Sequence, residues 1–201
     1  QLLDENKKML HAMRSGTIIQ PGESQGCIGC HEPRGEAPSA YGSGMPLAAV
    51  RAPNTLDGWY GPARDFGYLA EVQPVWDANC LSCHDWGGTG AGHLVLAGDK
   101  GLFFNASYTE LWSKGYTGAI GAGPAAVQQA RAWGTHASPL INHLESDPSH
   151  QAAVTLSTEE KERITTWLDL NAPYYPSYAS AYPDNLAGRS PLNNTQLDRL
   201  G

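Results

Sequence analysis

Two pentapeptides contain every cysteine of the chain and have the spacing needed to bind haem covalently. They are Cys27-Ile28-Gly29-Cys30-His31 and Cys80-Leu81-Ser82-Cys83-His84. Cys-x-x-Cys-His is the attachment motif of c-type haem, in which two thiols add across the vinyl groups and the histidine binds the iron. Because residues three apart share one face of a helical turn, both thiols can reach one porphyrin edge. Two haem c groups are therefore predicted, with His31 and His84 as proximal ligands.

Other cysteine chemistry explains the two motifs less well. The cysteine pairs of a zinc ribbon lie closer in sequence than Cys30 and Cys80 do, and a thioredoxin-like redox pair does not require a histidine after both copies. Disulfides account for the thiols but leave the histidines unexplained. The glycine-rich run 87–92 lacks the Lys-Ser/Thr of a phosphate-binding loop, and the acidic residues do not have EF-hand spacing.

The sixth ligand of the second haem is predicted to be His136. This residue lies in Trp133-Gly134-Thr135-His136-Ala137-Ser138, a loop that directly precedes a capped helix. His143 and His93 stay as competitors, because the chemistry of histidine does not separate the three. His143 lies beside Leu140 and Leu144 and fits equally well as a half-buried helical residue.

Four possibilities stay open for the first haem. Met13 lies on the apolar side of a predicted N-terminal helix, a short connection before Cys27, and His11 lies on its other side. Met9 and Met13 fit equally well as flexible core residues. The fourth possibility is an open coordination position, which would make this haem able to bind an exogenous ligand.

Helical periodicity and capping signals predict the elements that position these residues. The N-terminal helix covers residues 2–13, and a helix over residues 71–79, with Pro74 near its start, leads into Cys80. Residues 107–110 and 157–160 read as capping boxes, and Ser138-Pro139 reads as an N-cap with a first-turn proline. The helices that these signals begin are predicted to end near Trp112, Leu170 and Glu145, respectively.

Composition predicts a mainly α fold with extensive loops, of the dihaem cytochrome c type. Charged residues make up 16% of the chain, which also has 23 glycines and 14 prolines. The predicted organisation is a first haem segment at 1–70, a second haem segment at 71–175 that packs with the first as one unit, and a C-terminal tail at 176–201. The haem macrocycles are expected to replace part of the missing apolar core.

The charge pattern argues against two classes of partner. The formal net charge is −7 and no basic run occurs, so neither nucleic acid nor an anionic membrane surface is an expected partner. No apolar run has the length of a transmembrane helix. Because bacteria attach haem c outside the cytoplasm, we expect a periplasmic or otherwise extracytoplasmic protein whose leader lay upstream, and this chain to be a mature piece of it.

Four runs resemble the dihaem C-terminal domain of hydrazine synthase alpha-subunit-like proteins, and together they span nearly the whole chain. The most specific are Trp133–Leu140 and Thr166–Tyr175, and the others are Pro21–Arg34 and Val72–Cys80. The resemblance implies that the second haem is bis-histidine, with His84 and His136, and passes electrons. It also implies a tyrosine ligand shortly after the first motif. Residues 32–38 contain no tyrosine, and the nearest is Tyr41, which favours His31 as an ordinary iron ligand.

Two functions follow from these expectations. The first is electron transfer through two six-coordinate haems to a redox partner protein or a fused enzymatic domain. The alternative is a haem enzyme, in which the second haem supplies electrons to an open first haem that acts on peroxide or a small nitrogen compound. The ligand on the far side of the first iron distinguishes the two.

Overall fold

The structure is a computed structural model, and it describes residues 1–12, 59–121, 128–177, 182–186 and 190–200, together with residues 22 and 52. The chain divides into two compact units, one of residues 1–13 and 64–201 and the other of residues 14–63. In the second unit, Trp59 and Tyr60 meet edge to face with ring centres 5.2 Å apart. Cys27, Cys30, His31 and Met13 lie outside the described residues. The three predicted segments stay a prediction.

The first unit is mainly helical with long loops and one small sheet, as the composition predicts. The sheet pairs β1 (Leu2–Leu3) antiparallel with β2 (Met9–His11). The helices in chain order are α1 (Tyr68–Glu71), α2 (Gln73–Asn79), α3 (Leu81–His84), α4 (Ala106–Ser113), α5 (Pro139–Ser146), α6 (Pro148–Ala153), α7 (Thr158–Asp169) and α8 (Asn194–Leu197), with a 3₁₀ turn at Thr135–Ala137 before α5.

The predicted N-terminal helix is wrong, because residues 2–11 form a hairpin. The Asp4 carboxylate accepts the backbone N–H groups of Asn6 and Lys8 at 2.9 Å each, an Asx-type turn that competes with helix formation. Lys7 has a φ of 61° within that turn. Met9 is buried, whereas Leu2 and Leu3 are 63% and 45% exposed, so the apolar stripe assumed for a helix does not exist.

The helix over residues 71–79 is confirmed as two consecutive segments, α1 and α2, which meet at Val72, and Pro74 lies in the first turn of α2. The capping box that begins α7 is also confirmed: Ser157 accepts the Glu160 N–H, and Glu160 accepts the Ser157 N–H. These hydrogen bonds, with one from Asn79, hold the pKa of Glu160 below its usual value. Helix α7 ends at Asp169, one residue before the predicted Leu170.

Two caps differ from the prediction. Helix α4 begins after Asn105, whose side chain accepts the Tyr108 N–H, and not at Ser107, because the Ser107 hydroxyl is buried against Tyr68 and Gln73. Ser138 precedes α5 as predicted, but its hydroxyl donates to the Gly134 carbonyl and accepts the Gly118 N–H instead of capping the helix. In both places a tertiary hydrogen bond replaces the local one.

The core lies between α1, α2, α4 and α7. Tyr68, Trp76, Leu111, Ile164, Trp167 and Leu168 are almost fully buried. The polar atoms of the aromatic residues have partners, since the Trp76 indole donates to the Tyr68 hydroxyl at 3.0 Å and the Trp167 indole donates to the Pro173 carbonyl at 2.9 Å. None of the helices within the described ranges has both the length and the apolar character needed to cross a bilayer.

Candidate functional site

The second pentapeptide forms the short helix α3 directly after α2. The backbone N–H of Cys80 bonds to the Trp76 carbonyl at 2.9 Å, and that of His84 bonds to the Cys80 carbonyl at 2.9 Å. Cys80 and His84 therefore lie on consecutive turns of a nearly continuous helical path. Because Trp76 is fully buried, the core fixes the position at which the pentapeptide starts.

The two thiols differ in environment. Both are free, but Cys80 is buried in the core cluster whereas Cys83 is exposed. Burial, with smaller contributions from Glu160 and Cys83, raises the pKa of Cys80 to about 12. Cys80 therefore stays protonated at neutral pH, and nothing in this environment activates it as a redox nucleophile or as a thiolate metal ligand.

The imidazole of His84 is held in a defined orientation by the chain that follows it. Its Nδ1 lies 2.8 Å from the Leu94 carbonyl, and the His84 carbonyl accepts the Leu96 N–H at 2.8 Å. A ring nitrogen that faces a carbonyl oxygen carries the proton, so the lone pair is on Nε2. The structure thus presents His84 Nε2 as the nitrogen able to bind a metal.

Gly90 lies directly against the His84 ring. A methyl group at this position would be 2.7 Å from His84 Cε1 and 2.8 Å from its Nδ1, which is far inside van der Waals contact. Glycine at position 90 therefore allows the backbone to pass close to the imidazole ring.

The ring of His150 faces that of His84. The two ring centres are 6.1 Å apart and the ring planes differ by 17°. His150 comes from α6, far away in sequence, and it also lines a cavity of about 370 Å³ between α5, α6 and α7. The apolar lining consists of Ile141, Leu144, Val154, Leu156 and Ile164. His150 is not among the ligands predicted from the sequence, because no local signal distinguishes it from the other histidines.

His150 belongs to a small polar cluster with His143 and Asp147. Asp147 Oδ2 lies 3.5 Å from His150 Nδ1 and 3.8 Å from His143 Nδ1. His150 Nδ1 is buried, and Asp147 Oδ2, at the outer limit of hydrogen-bond distance, is the acceptor that lies beside it within the described residues. Asp147 also begins α6, and hydrogen bonds from the Ser149 side chain and backbone lower the pKa of Asp147 to about 2.

The other predicted ligands are placed elsewhere. His136 Nε2 lies 3.3 Å from Asp4 Oδ2, in the 3₁₀ turn beside the N-terminal hairpin. His11 is exposed in β2, with its Nδ1 accepting the Ala12 N–H at 3.1 Å. His93 follows the glycine run and is exposed. Among the described histidines, the ring that the structure brings to His84 is that of His150.

Comparison with known proteins gives one partial match. Residues 1–32 match the family model described as the hydrazine synthase alpha subunit middle domain. This stretch is similar to that protein and includes the first pentapeptide, but it is a small part of the chain and concerns the middle domain, not the C-terminal one expected from the sequence. No curated protein and no solved structure matched the chain.

Proposed function

We propose that this chain is an electron-transfer module that binds haem c at Cys80 and Cys83, with His84 and His150 as the two axial ligands. The distance between the His84 and His150 ring centres and the near-parallel ring planes carry the proposal. Imidazole nitrogens bind first-row metals at about 2.0–2.1 Å, so two imidazoles on opposite sides of one metal have ring centres roughly 6 Å apart. The separation of 6.1 Å and the near-parallel planes match that arrangement.

The surrounding residues fit a haem. Two free thiols flank one turn, His84 directs Nε2 away from its carbonyl partner, and Gly90 allows the backbone to pack directly against the ring. The cavity at His150 has five apolar side chains in its lining beside polar ones such as Glu145 and Lys161, and its volume lies within the usual range of about 300–1,000 Å³ for small-molecule sites. Cys80 shares one core cluster with Ile141, Leu156 and Ile164 of that lining.

The chemistry follows from the ligands. A haem held there supplies a one-electron Fe(III)/Fe(II) couple. With His84 of α3 and His150 of α6 both holding the iron, the haem would serve electron transfer and would not bind substrate. The chain's own contribution is therefore to bind, orient and desolvate the cofactor, with electrons passing to a partner protein or a fused domain. A second haem c at Cys27, Cys30 and His31 and an extracytoplasmic location complete the proposal.

Single histidine variants of the full chain, matured with haem in a bacterial periplasm, test the axial assignment. His150→Ala should convert the second haem from low spin to high spin, because one strong-field ligand is lost. His143→Ala, at a neighbouring exposed histidine, and His136→Ala should leave the spin state unchanged. The measurements are the optical spectrum and the electron paramagnetic resonance of the ferric protein.

The same series decides between His150 and the sequence-based choice. A high-spin signal in His136→Ala with a normal His150→Ala spectrum would establish His136 as the ligand and reject His150. Absence of covalent haem from the second motif of the wild-type chain would reject the function itself. Mass spectrometry would then show one haem at most. Replacing both Cys80 and Cys83 with serine should remove one haem mass.

A further inference from the structure

The two proposed axial histidines differ in what faces their second ring nitrogen. His84 Nδ1 faces a neutral acceptor, the Leu94 carbonyl, at 2.8 Å. His150 Nδ1 faces the Asp147 carboxylate at 3.5 Å. A carboxylate partner makes a bound imidazole a stronger electron donor than a carbonyl partner does, because it stabilises partial imidazolate character.

We infer that Asp147 is a positioning residue that orients His150 through Nδ1 and lowers the reduction potential of the second haem. The inference rests on the proposed function, and it names a residue that lies outside both pentapeptides. Asp147 does not bind the cofactor itself; it acts through His150.

The backbone fixes Asp147 independently of His150. The Asp147 carboxylate accepts the Ser149 N–H at 2.9 Å as the N-cap of α6, and His150 lies within the first turn of the same helix. The cap therefore sets the position of the carboxylate relative to the ring.

The same cluster could be taken for a divalent metal site, since ligand atoms of His143, Asp147 and His150 lie within 4.8 Å of one another. A neutral imidazole has one lone-pair nitrogen. If His150 binds iron through Nε2, its Nδ1 carries the proton and can donate to Asp147, but it cannot bind a second metal. Within the proposed function, a hydrogen bond is thus the compatible arrangement.

Asp147→Asn tests the inference, because asparagine is as good an N-cap as aspartate and removes only the charge. The reduction potential of the second haem should shift to more positive values, since oxidised iron loses a nearby negative charge and a strong hydrogen-bond acceptor. The matched control is Asp85→Asn, which removes a charge directly after His84. Potentials are measured by spectroelectrochemistry on the Cys27→Ser/Cys30→Ser background, where the second haem is alone.

A larger positive shift in Asp147→Asn than in Asp85→Asn, restored towards wild type by Asp147→Glu, supports the inference. Equal shifts of the reduction potential in the two variants would show that Asp147 acts only as a distant charge. This result would overturn the inference. Stoichiometric zinc in the purified haem-loaded protein, removed by His143→Ala, would also overturn it. A normal low-spin spectrum in His150→Ala would instead reject the axial assignment, so the two failures are distinguishable.

Discussion

At the scale of single residues, the second site depends on groups whose roles come from their neighbours. His84 and His150 are ordinary histidines in sequence, but His84 Nδ1 is 2.8 Å from the Leu94 carbonyl and His150 Nδ1 is 3.5 Å from the Asp147 carboxylate. Gly90 is required because its backbone lies on the His84 ring. The pentapeptide itself was recognisable from the sequence, whereas the partner of His84 was not.

Gly90→Ala tests this close approach. The added methyl group would clash with the His84 ring, so we expect the ring to turn away from the Leu94 carbonyl, the yield of haem at the second motif to fall and the free energy of unfolding to decrease by about 1–3 kcal/mol. Covalent haem content by mass spectrometry and urea denaturation measure the two effects.

Gly92→Ala is the control for Gly90→Ala, because among the described residues, apart from its chain neighbours, no heavy atom lies within 4 Å of a methyl group at Gly92. It should behave like the wild type. If both variants retain haem equally well, the contact between Gly90 and His84 has no part in holding the imidazole.

At the scale of elements, one buried carboxylate joins the N-terminal hairpin to the helical body. Asp169, at the end of α7, accepts the Met9 N–H at 2.8 Å and the Thr135 N–H at 2.7 Å. Gly134, with a φ of 76°, is required beside it, because a methyl group there would lie 2.6 Å from Asp169 Oδ1. This explains why residues 9–11 form a strand although their spacing also suits a helix.

Asp169→Asn should destabilise the fold. The new amide places an N–H₂ group where a carboxylate oxygen accepts a backbone N–H, so one buried donor loses its partner at a cost of about 1–3 kcal/mol. Urea denaturation followed by circular dichroism measures the loss. Asp198→Asn, at an exposed position of the C-terminal segment, is the control and should change stability little. Equal stability of the two variants would show that the hairpin does not depend on Asp169.

At the scale of the whole molecule, the two proposed functions differ in whether the chain only transfers electrons or also performs chemistry. The neighbouring rings of His84 and His150 suit the proposed electron transfer. The first pentapeptide lies outside the described residues, and the sixth ligand expected there stays a prediction between Met13, His11 and an open position. Residues 1–32, which match the hydrazine synthase alpha subunit middle domain, include that pentapeptide, so the haem proposed there is the more informative one to examine.

The Cys27→Ser/Cys30→Ser chain should contain one haem, low spin in both oxidation states and unreactive towards carbon monoxide and cyanide, because the proposal gives the second haem two histidine ligands. Its ferric electron paramagnetic resonance signal should be of the rhombic type that near-parallel imidazole planes give. A carbon monoxide adduct in this variant would contradict the bis-histidine proposal. An adduct formed by the wild-type chain alone would locate exchangeable ligand binding at the first haem and favour the enzyme alternative.

Local signals were sufficient wherever neighbours in sequence supply the interaction. The capping box of α7, its buried Ile164, Trp167 and Leu168, and the first-turn Pro74 of α2 all follow from patterns within a few residues, and the structure confirms them. The two Cys-x-x-Cys-His pentapeptides are also recognisable from their spacing alone. These signals therefore determine the positions of the main helices, and they are the basis of the proposed haem chemistry.

Tertiary structure decided which distant groups meet. Hydrogen bonds to Asp4 and Asp169 stabilise residues 2–11 as a hairpin. Ser107 and Ser138 make long-range hydrogen bonds instead of capping their helices. His84 meets the ring of His150, 66 residues later in the numbering, because α6 packs beside α5 and the cavity opens at their junction. The identity of an axial ligand depends on such packing, and a histidine carries no local signal of the ring that it will face.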